Sequence, residues 1–197
     1  MHDVQTWLAP RLLPLDDSRA APLSRDTAPR GLRPAGVLVP IVNRPSGPTV
    51  LFTLRAKSLT KHAGQIAFPG GRVDPGDADI VATALRETRE ETGIADTFIT
   101  PIGGLEPVES VTGFLMFPVV AMLREGFVPV ANPGEVDAIF EAPFAFVTDA
   151  ANQIRKSGTF AGVAREYYSI AFEDYDIWGA TARILVNLSR RLNAYAD

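Results

Sequence analysis

A chain of 197 residues, 46% hydrophobic and 21% charged with no long charged block, can bury one sizeable core and lies outside the compositions of disordered or fibrous proteins. It has no cysteine and only two histidines, His2 and His62, which excludes disulfides, thiolate sites and multi-histidine metal centres and leaves carboxylates to carry the chemistry. A net charge of −4 argues against general nucleic-acid binding; no apolar run approaches a bilayer span, and Met1-His2-Asp3 does not open a secretory-type leader, so a cytoplasmic protein without a membrane partner is expected.

In chain order, residues 1–33 read as an N-terminal extension, with a short amphipathic helix around Val4 to Leu13 and then an arm containing Pro, Ala and Arg. Residues 34–197 read as one domain. Pro34 to Val42 and Thr49 to Arg55 are rich in Val, Ile, Leu and Phe and flank the turn-forming Asn43-Arg44-Pro45-Ser46-Gly47-Pro48, which predicts a β-hairpin. Ala67-Phe68-Pro69-Gly70-Gly71 interrupts any regular element, and Asp77 to Gly93 reads as a helix, with Asp near its start and Gly at its end. Strands are expected at Phe98 to Leu105, Gly113 to Leu123, Glu135 to Glu141 and Glu166 to Phe172. A final helix is expected from Ile177 to Tyr195, where Ile184, Leu185, Leu188 and Leu192 recur on one face. Strands interrupted by one helix and closed by another predict an α/β sandwich with a mixed sheet.

Charge is unevenly placed along this frame. No acidic residue lies between Asp26 and Asp74, a stretch that contains Arg30, Arg33, Arg44, Arg55, Lys57, Lys61 and Arg72; the stretch from Asp74 to Glu141 is dominated by Asp and Glu. At about 100° per residue, Glu87, Glu90 and Glu91 fall at i, i+3 and i+4 and converge on one side of the helix, while Val81, Ala84, Leu85 and Thr88 converge on another. Like charges at that spacing repel unless a cation sits among them, and oxygen-only ligands suit magnesium or manganese. Such a face on its own is commonly just solvated.

The context changes that reading. Gly71, Arg86-Glu87, Glu90-Glu91 and Gly93-Ile94 resemble the Nudix box: a glycine, five residues, a glutamate, seven residues, then Arg-Glu-U-x-Glu-Glu-x-Gly-U, with U aliphatic. Two departures are visible: an aspartate, Asp77, stands for the first glutamate with one additional residue before Arg86, and Thr88 holds an aliphatic position. The run from Leu51 through Gly71 is similar to the signature before the box in the coenzyme A diphosphatase branch of this superfamily, which also commonly carries the additional residue. Ser110-Val111-Thr112-Gly113, Asn132-Pro133-Gly134-Glu135-Val136 and Ile177-Trp178-Gly179-Ala180-Thr181-Ala182 are similar to segments of the same branch.

The resemblance, covering roughly residues 34–195, implies a Nudix-type α/β/α sandwich with a mixed β-sheet and a catalytic loop-helix-loop. It implies Mg2+ or Mn2+ held by Glu87, Glu90 and Glu91, with Glu90, Glu91 and Arg86 in catalytic roles, Arg86 by holding the glutamates in position. It also implies hydrolysis of coenzyme A or its derivatives to 4′-phosphopantetheine and adenosine 3′,5′-bisphosphate. Arg55, Lys57, Lys61 and Arg72, with the backbone at Gly70 and Gly71, are candidates for binding the phosphates. Glu135 is a candidate extra ligand or base, or else a solvated carboxylate at a strand start. His62 and Gln65 read equally as substrate-positioning or local hydrogen-bonding residues, and Trp178 as core rather than a stacking platform. The expected partner is a small nucleotide substrate, with a homodimer left open. The alternatives are a Nudix hydrolase of ADP-ribose or NADH, or a non-catalytic Nudix-fold binding module.

Overall fold

Strand β1 (Arg33–Arg44) is buried from Pro34 to Val42, and its side chains alternate between two cores. Val37, Val39 and Ile41 join Val50, Phe52, Val120 and Met122 on one face of the sheet; Leu38 and Val42 join Leu51, Val119, Ala121 and Leu123 on the other. A strand covered on both faces has no polar side, which explains its nearly continuous apolar sequence. The computed structural model that shows this describes residues 4–15, 29–60, 62–160 and 162–194.

The main sheet has eight strands and is mixed. β1 runs parallel to β7 (Phe114–Leu123) from Arg33↔Phe114 to Val42↔Leu123, and the other pairings are antiparallel. β2 (Gly47–Arg55) pairs with β1 only from Ile41↔Val50 to Arg44↔Gly47, then diverges. The wedge so opened is filled by two short strands: β3 (Ile66–Ala67) continues on β2, and β4 (Gly70–Arg72) takes the edge of β1 at Ala35–Val37. Pro69 joins them, its carbonyl accepting from Leu38 N–H at 2.9 Å. The glycine loop is thereby fixed against the middle of the sheet.

β5 (Ile99–Gly104) and β6 (Val108–Glu109) pair with β7, and β8 (Val136–Pro143) pairs with the outer edge of β2. A separate antiparallel sheet follows, of β9 (Ile154–Phe160), β10 (Val163–Phe172) and β11 (Tyr175–Trp178). Helix α2 (Ile80–Thr92) packs into the core with Leu38 and Leu51. Helix α4 (Gly179–Asn193) and the short α1 (Val4–Leu8) pack into the core with Phe52, and the short α3 (Phe144–Thr148) joins them there. The expected α/β/α sandwich with a mixed sheet is the fold observed. Among the described residues no helix is long and apolar enough to cross a membrane.

The expected strands are all present, with ends displaced by three residues or fewer. Three elements differ. The first helix is a single turn followed by a 3-10 turn at Ala9–Arg11, because Pro10 has no N–H to continue the α-ladder. Leu8 and Leu12 are buried, and Leu13 and Gly104 exchange backbone hydrogen bonds of 2.9 and 2.8 Å. The last helix begins at Gly179, since Ile177 and Trp178 belong to β11 and Gly179 turns the chain with φ +66°. Strand β9 escaped the sequence reading because it is exposed along nearly its whole length and carries no apolar alternation. The short β3, β4 and β6 and helix α3 carry too few residues to show a period.

Candidate active site

Helix α2 starts where the Asp79 side chain accepts from Ala82 N–H at 2.7 Å and stops at Gly93, a left-handed C-cap at φ +68°. Ile80, Ala84 and Thr88 face the core; the Thr88 hydroxyl donates to the Ala84 carbonyl at 2.7 Å, which is how a polar residue is satisfied where an aliphatic one would pack. The helix lies directly against β1, for a Cβ at Gly36 would fall 2.6 Å from the Ile80 carbonyl oxygen. A Cβ at Gly71 would fall 2.4–2.6 Å from the Glu87 carboxylate, so glycine here is a steric condition for the glutamate's place.

Arg86 uses all five of its N–H groups. Nε and Nη2 bind Asp77 in bidentate fashion at 2.9 Å each, Nη1 donates to Glu87 at 2.8 Å and to Glu90 at 3.1 Å, and Nη2 also donates to the Arg72 carbonyl at 3.1 Å. The guanidinium holds the Asp77 carboxyl far below the usual carboxylate range, helped by bonds from Asp74 N–H and the Thr83 hydroxyl. The substituted position in the motif thus has a defined structural task. Asp77 lies before the helix rather than on it and anchors Arg86, which in turn orients the glutamates.

Of the three helix glutamates, Glu87 and Glu91 come together and Glu90 does not join them. One oxygen each from Glu87, Glu91 and Glu135 lies within 4.8 Å of the other two, whereas the Glu90 side chain is 49% exposed and held by Arg86. Glu135 arrives from the loop before β8, which is tied to the C-terminal end of α2: Asn132 N–H donates to the Glu91 carbonyl at 3.0 Å and Val130 N–H to Thr92 at 2.8 Å. On its other side the Glu135 carbonyl accepts from Ala56 N–H at 2.9 Å.

Glu91 is 2% exposed, and its Oε2 has no hydrogen-bond partner. Among the described residues its ion-pair partner is Arg55, Nη1 to Oε1 3.7 Å, and the Arg55 Nε is itself buried without a hydrogen-bond partner. Burial pushes the Glu91 carboxyl up to about 8, with Arg55 opposing and Glu87 and Glu135 reinforcing the shift; burial also raises Glu87. A buried carboxylate oxygen facing two more carboxylates, and lacking a donor, fits a hard divalent cation.

These groups line a cleft of about 1580 Å³. Of the expected phosphate ligands, Arg55, Gly70, Gly71 and Arg72 line it; Lys57 does not, and Lys61 lies outside the described residues. His62 and Gln65 also line it and share a 2.7 Å hydrogen bond, with His62 Nε2 3.3 Å from the Thr112 hydroxyl. Trp178 lines the cleft too, with Phe160 and Tyr167 and the guanidiniums of Arg165 and Arg183. None of these last four was singled out from sequence, because they come from a three-stranded sheet and a helix whose position only the packing defines.

A helix that presses glutamates against a glycine loop in the splayed edge of a mixed sheet marks the class. The chain belongs to the Nudix family, whose NUDIX domain matches residues 32–161. Proteins named "Uncharacterized Nudix hydrolase NudL" in Salmonella paratyphi B and Salmonella newport are each 42% identical over 160 residues, 81% of this chain and 83% of theirs. A MutT/nudix family protein from Enterococcus faecalis, of known crystal structure, shares the fold with a TM-score of 0.54 at 15% identity, over 83% of this chain and 62% of that one. This protein is therefore a Nudix hydrolase, an enzyme of phosphorus anhydride bonds.

Proposed function

We propose that the enzyme hydrolyses the diphosphate bond of coenzyme A or its derivatives, releasing 4′-phosphopantetheine and adenosine 3′,5′-bisphosphate, and that it does so with Mg2+ or Mn2+. The observation that carries the substrate reading is the segment from Leu51 to Gly71. It resembles the coenzyme A branch, and it supplies β3 and most of β2 and β4, whose glycine loop lies against Glu87. A cleft of about 1580 Å³ also exceeds what a bare diphosphate needs and suits a ligand with bulky groups on both sides.

Glu87, Glu91 and Glu135 would hold the cation, with Glu90 as the adjoining carboxylate on the helix. Bound there, the cation supplies charge neutralisation at the diphosphate and a more acidic water. Arg86 keeps Glu87 and Glu90 in register through Asp77, a positioning role. Arg55 and Arg72 meet the phosphate oxygens, Lys57 and Lys61 follow on the same basic stretch, and the Gly70-Gly71 backbone allows close approach. The base that takes the proton of the attacking water is one of the helix glutamates or Glu135. The test is a panel of coenzyme A, dephospho-coenzyme A, ADP-ribose and NADH with each metal, products resolved by chromatography. Coenzyme A turned over fastest, to the two named products, is expected; faster turnover of ADP-ribose or NADH overturns the substrate reading.

A further inference from the structure

The wall of the cleft built by β9–β11 and α4 contains none of the three clustered glutamates. There the Trp178 ring stands 5.8 Å from Phe160 at an interplanar angle of 38° and 5.7 Å from Tyr167 at 62°, and all three line the same cleft as the glutamates. Trp178 is half-buried and Phe160 is 37% exposed, so the group is neither sealed in a core nor a lone surface residue. Two exposed guanidiniums line the same cleft. Arg183 lies 5.6 Å from the Tyr168 ring, and Arg165 stands on the same strand as Tyr167. Neither has a carboxylate partner among the described residues, since Glu166 is taken by Arg155 and Glu106 by Arg191. In a chain of net charge −4, cations without a carboxylate partner and partly exposed aromatic rings lining one cleft form a surface for an anionic aromatic ligand.

We propose that Trp178, Phe160 and Tyr167 form the stacking surface for the nucleobase of the substrate, and that Arg183 and Arg165 bind its ribose phosphate. The inference rests on the reading of the enzyme as a hydrolase of coenzyme A and deepens it. It places the adenosine bisphosphate half on β9–β11 and α4, while the basic stretch before the catalytic helix is left to the diphosphate. Stacking of a base on an aromatic platform is sequence-tolerant and strong, on the order of a tenfold to hundredfold gain in affinity per base, and a charge-assisted phosphate contact adds about as much.

The chain has two tryptophans, so Trp7→Phe leaves Trp178 as the sole reporter. Its fluorescence is followed in metal-free protein titrated with adenosine 3′,5′-bisphosphate, AMP or 4′-phosphopantetheine. Saturable quenching by the bisphosphate is expected, with AMP roughly tenfold or more weaker and phosphopantetheine without effect. Arg183→Ala should bring the bisphosphate and AMP together, and Phe160→Ala, at an exposed position, should weaken both. Calorimetry on Trp178→Leu should show the bisphosphate bound at least about tenfold more weakly. Absence of quenching, or a Trp178→Leu variant that binds as tightly as the parent, overturns the assignment. So does a signal that depends on protein concentration and not on nucleotide, which would mean that a second copy of the chain covers the surface. Because no turnover is read, failure of coenzyme A hydrolysis in the substrate panel counts against the proposed function alone.

Discussion

Without metal, raising the pH from about 5.5 to about 8.5 should weaken the folded state, and the residue responsible should be Glu91. Its carboxyl is 2% exposed, with one oxygen lacking any donor, and burial pushes it up to about 8 against an ordinary value near 4.5. A folded-state value above the unfolded one means that the native chain binds the extra proton between those limits. The stabilisation is complete below about pH 4.5 and is lost as the pH rises through about 8. The slope approaches about 1.4 kcal/mol per pH unit for one proton, and the whole window is worth roughly 3–5 kcal/mol, a large share of a typical domain's stability. Glu87, also raised by burial, adds in the same direction; Asp77, which is lowered, acts only in acid below this window. The assay is urea unfolding in a chelator at several pH values, on the parent and on Glu91→Gln. The parent should lose stability with pH, the variant should keep only the shallower slope that Glu87 contributes, and Mg2+ should restore the parent at high pH by binding the ionised cluster. A parent curve without slope, or an equal slope in Glu91→Gln, would refute the argument that burial of this carboxyl outweighs the opposing Arg55.

Other outcomes follow from the same geometry. Glu91→Gln and Glu87→Gln should lower kcat by orders of magnitude in steady-state assays while circular dichroism stays native, and comparison of Glu135→Gln with Glu90→Gln should show which is the third member of the cluster, Glu135 being expected to cost more. Asp77→Asn removes one side of a bidentate pair to Arg86 and should cost about 1.5–3 kcal/mol in urea unfolding, with kcat falling as the glutamates lose register; unchanged kcat would separate Arg86 from catalysis. Leu8→Ala empties a fully buried site and should cost about 2–5 kcal/mol, yet leave kcat/KM within a few fold, because no residue of the described arm lines the cleft.

Periodicity in the chain already determined that Glu87, Glu90 and Glu91 share one side of a helix that closes at Gly93, and that a two-glycine loop precedes it, although the expected start at Asp77 lies before the observed cap at Asp79. The apolar runs at Pro34 to Val42 and Gly113 to Leu123 likewise marked β1 and β7 as strands. These are local properties: rise and twist per residue dictate them whatever the rest of the molecule does. Periodicity could not say which of the three carboxylates would be buried together. That depends on Arg86, whose five donors are divided among Asp77, Glu87, Glu90 and a backbone carbonyl, and on a loop distant in sequence that hydrogen-bonds to the end of the helix and delivers Glu135 instead. Nor could it gather Phe160, Tyr167, Trp178 and Arg183 into the same cleft. An exposed strand such as β9 carries no burial pattern, and its partners are chosen by long-range packing, so only the tertiary structure decides what lies across from the glutamates.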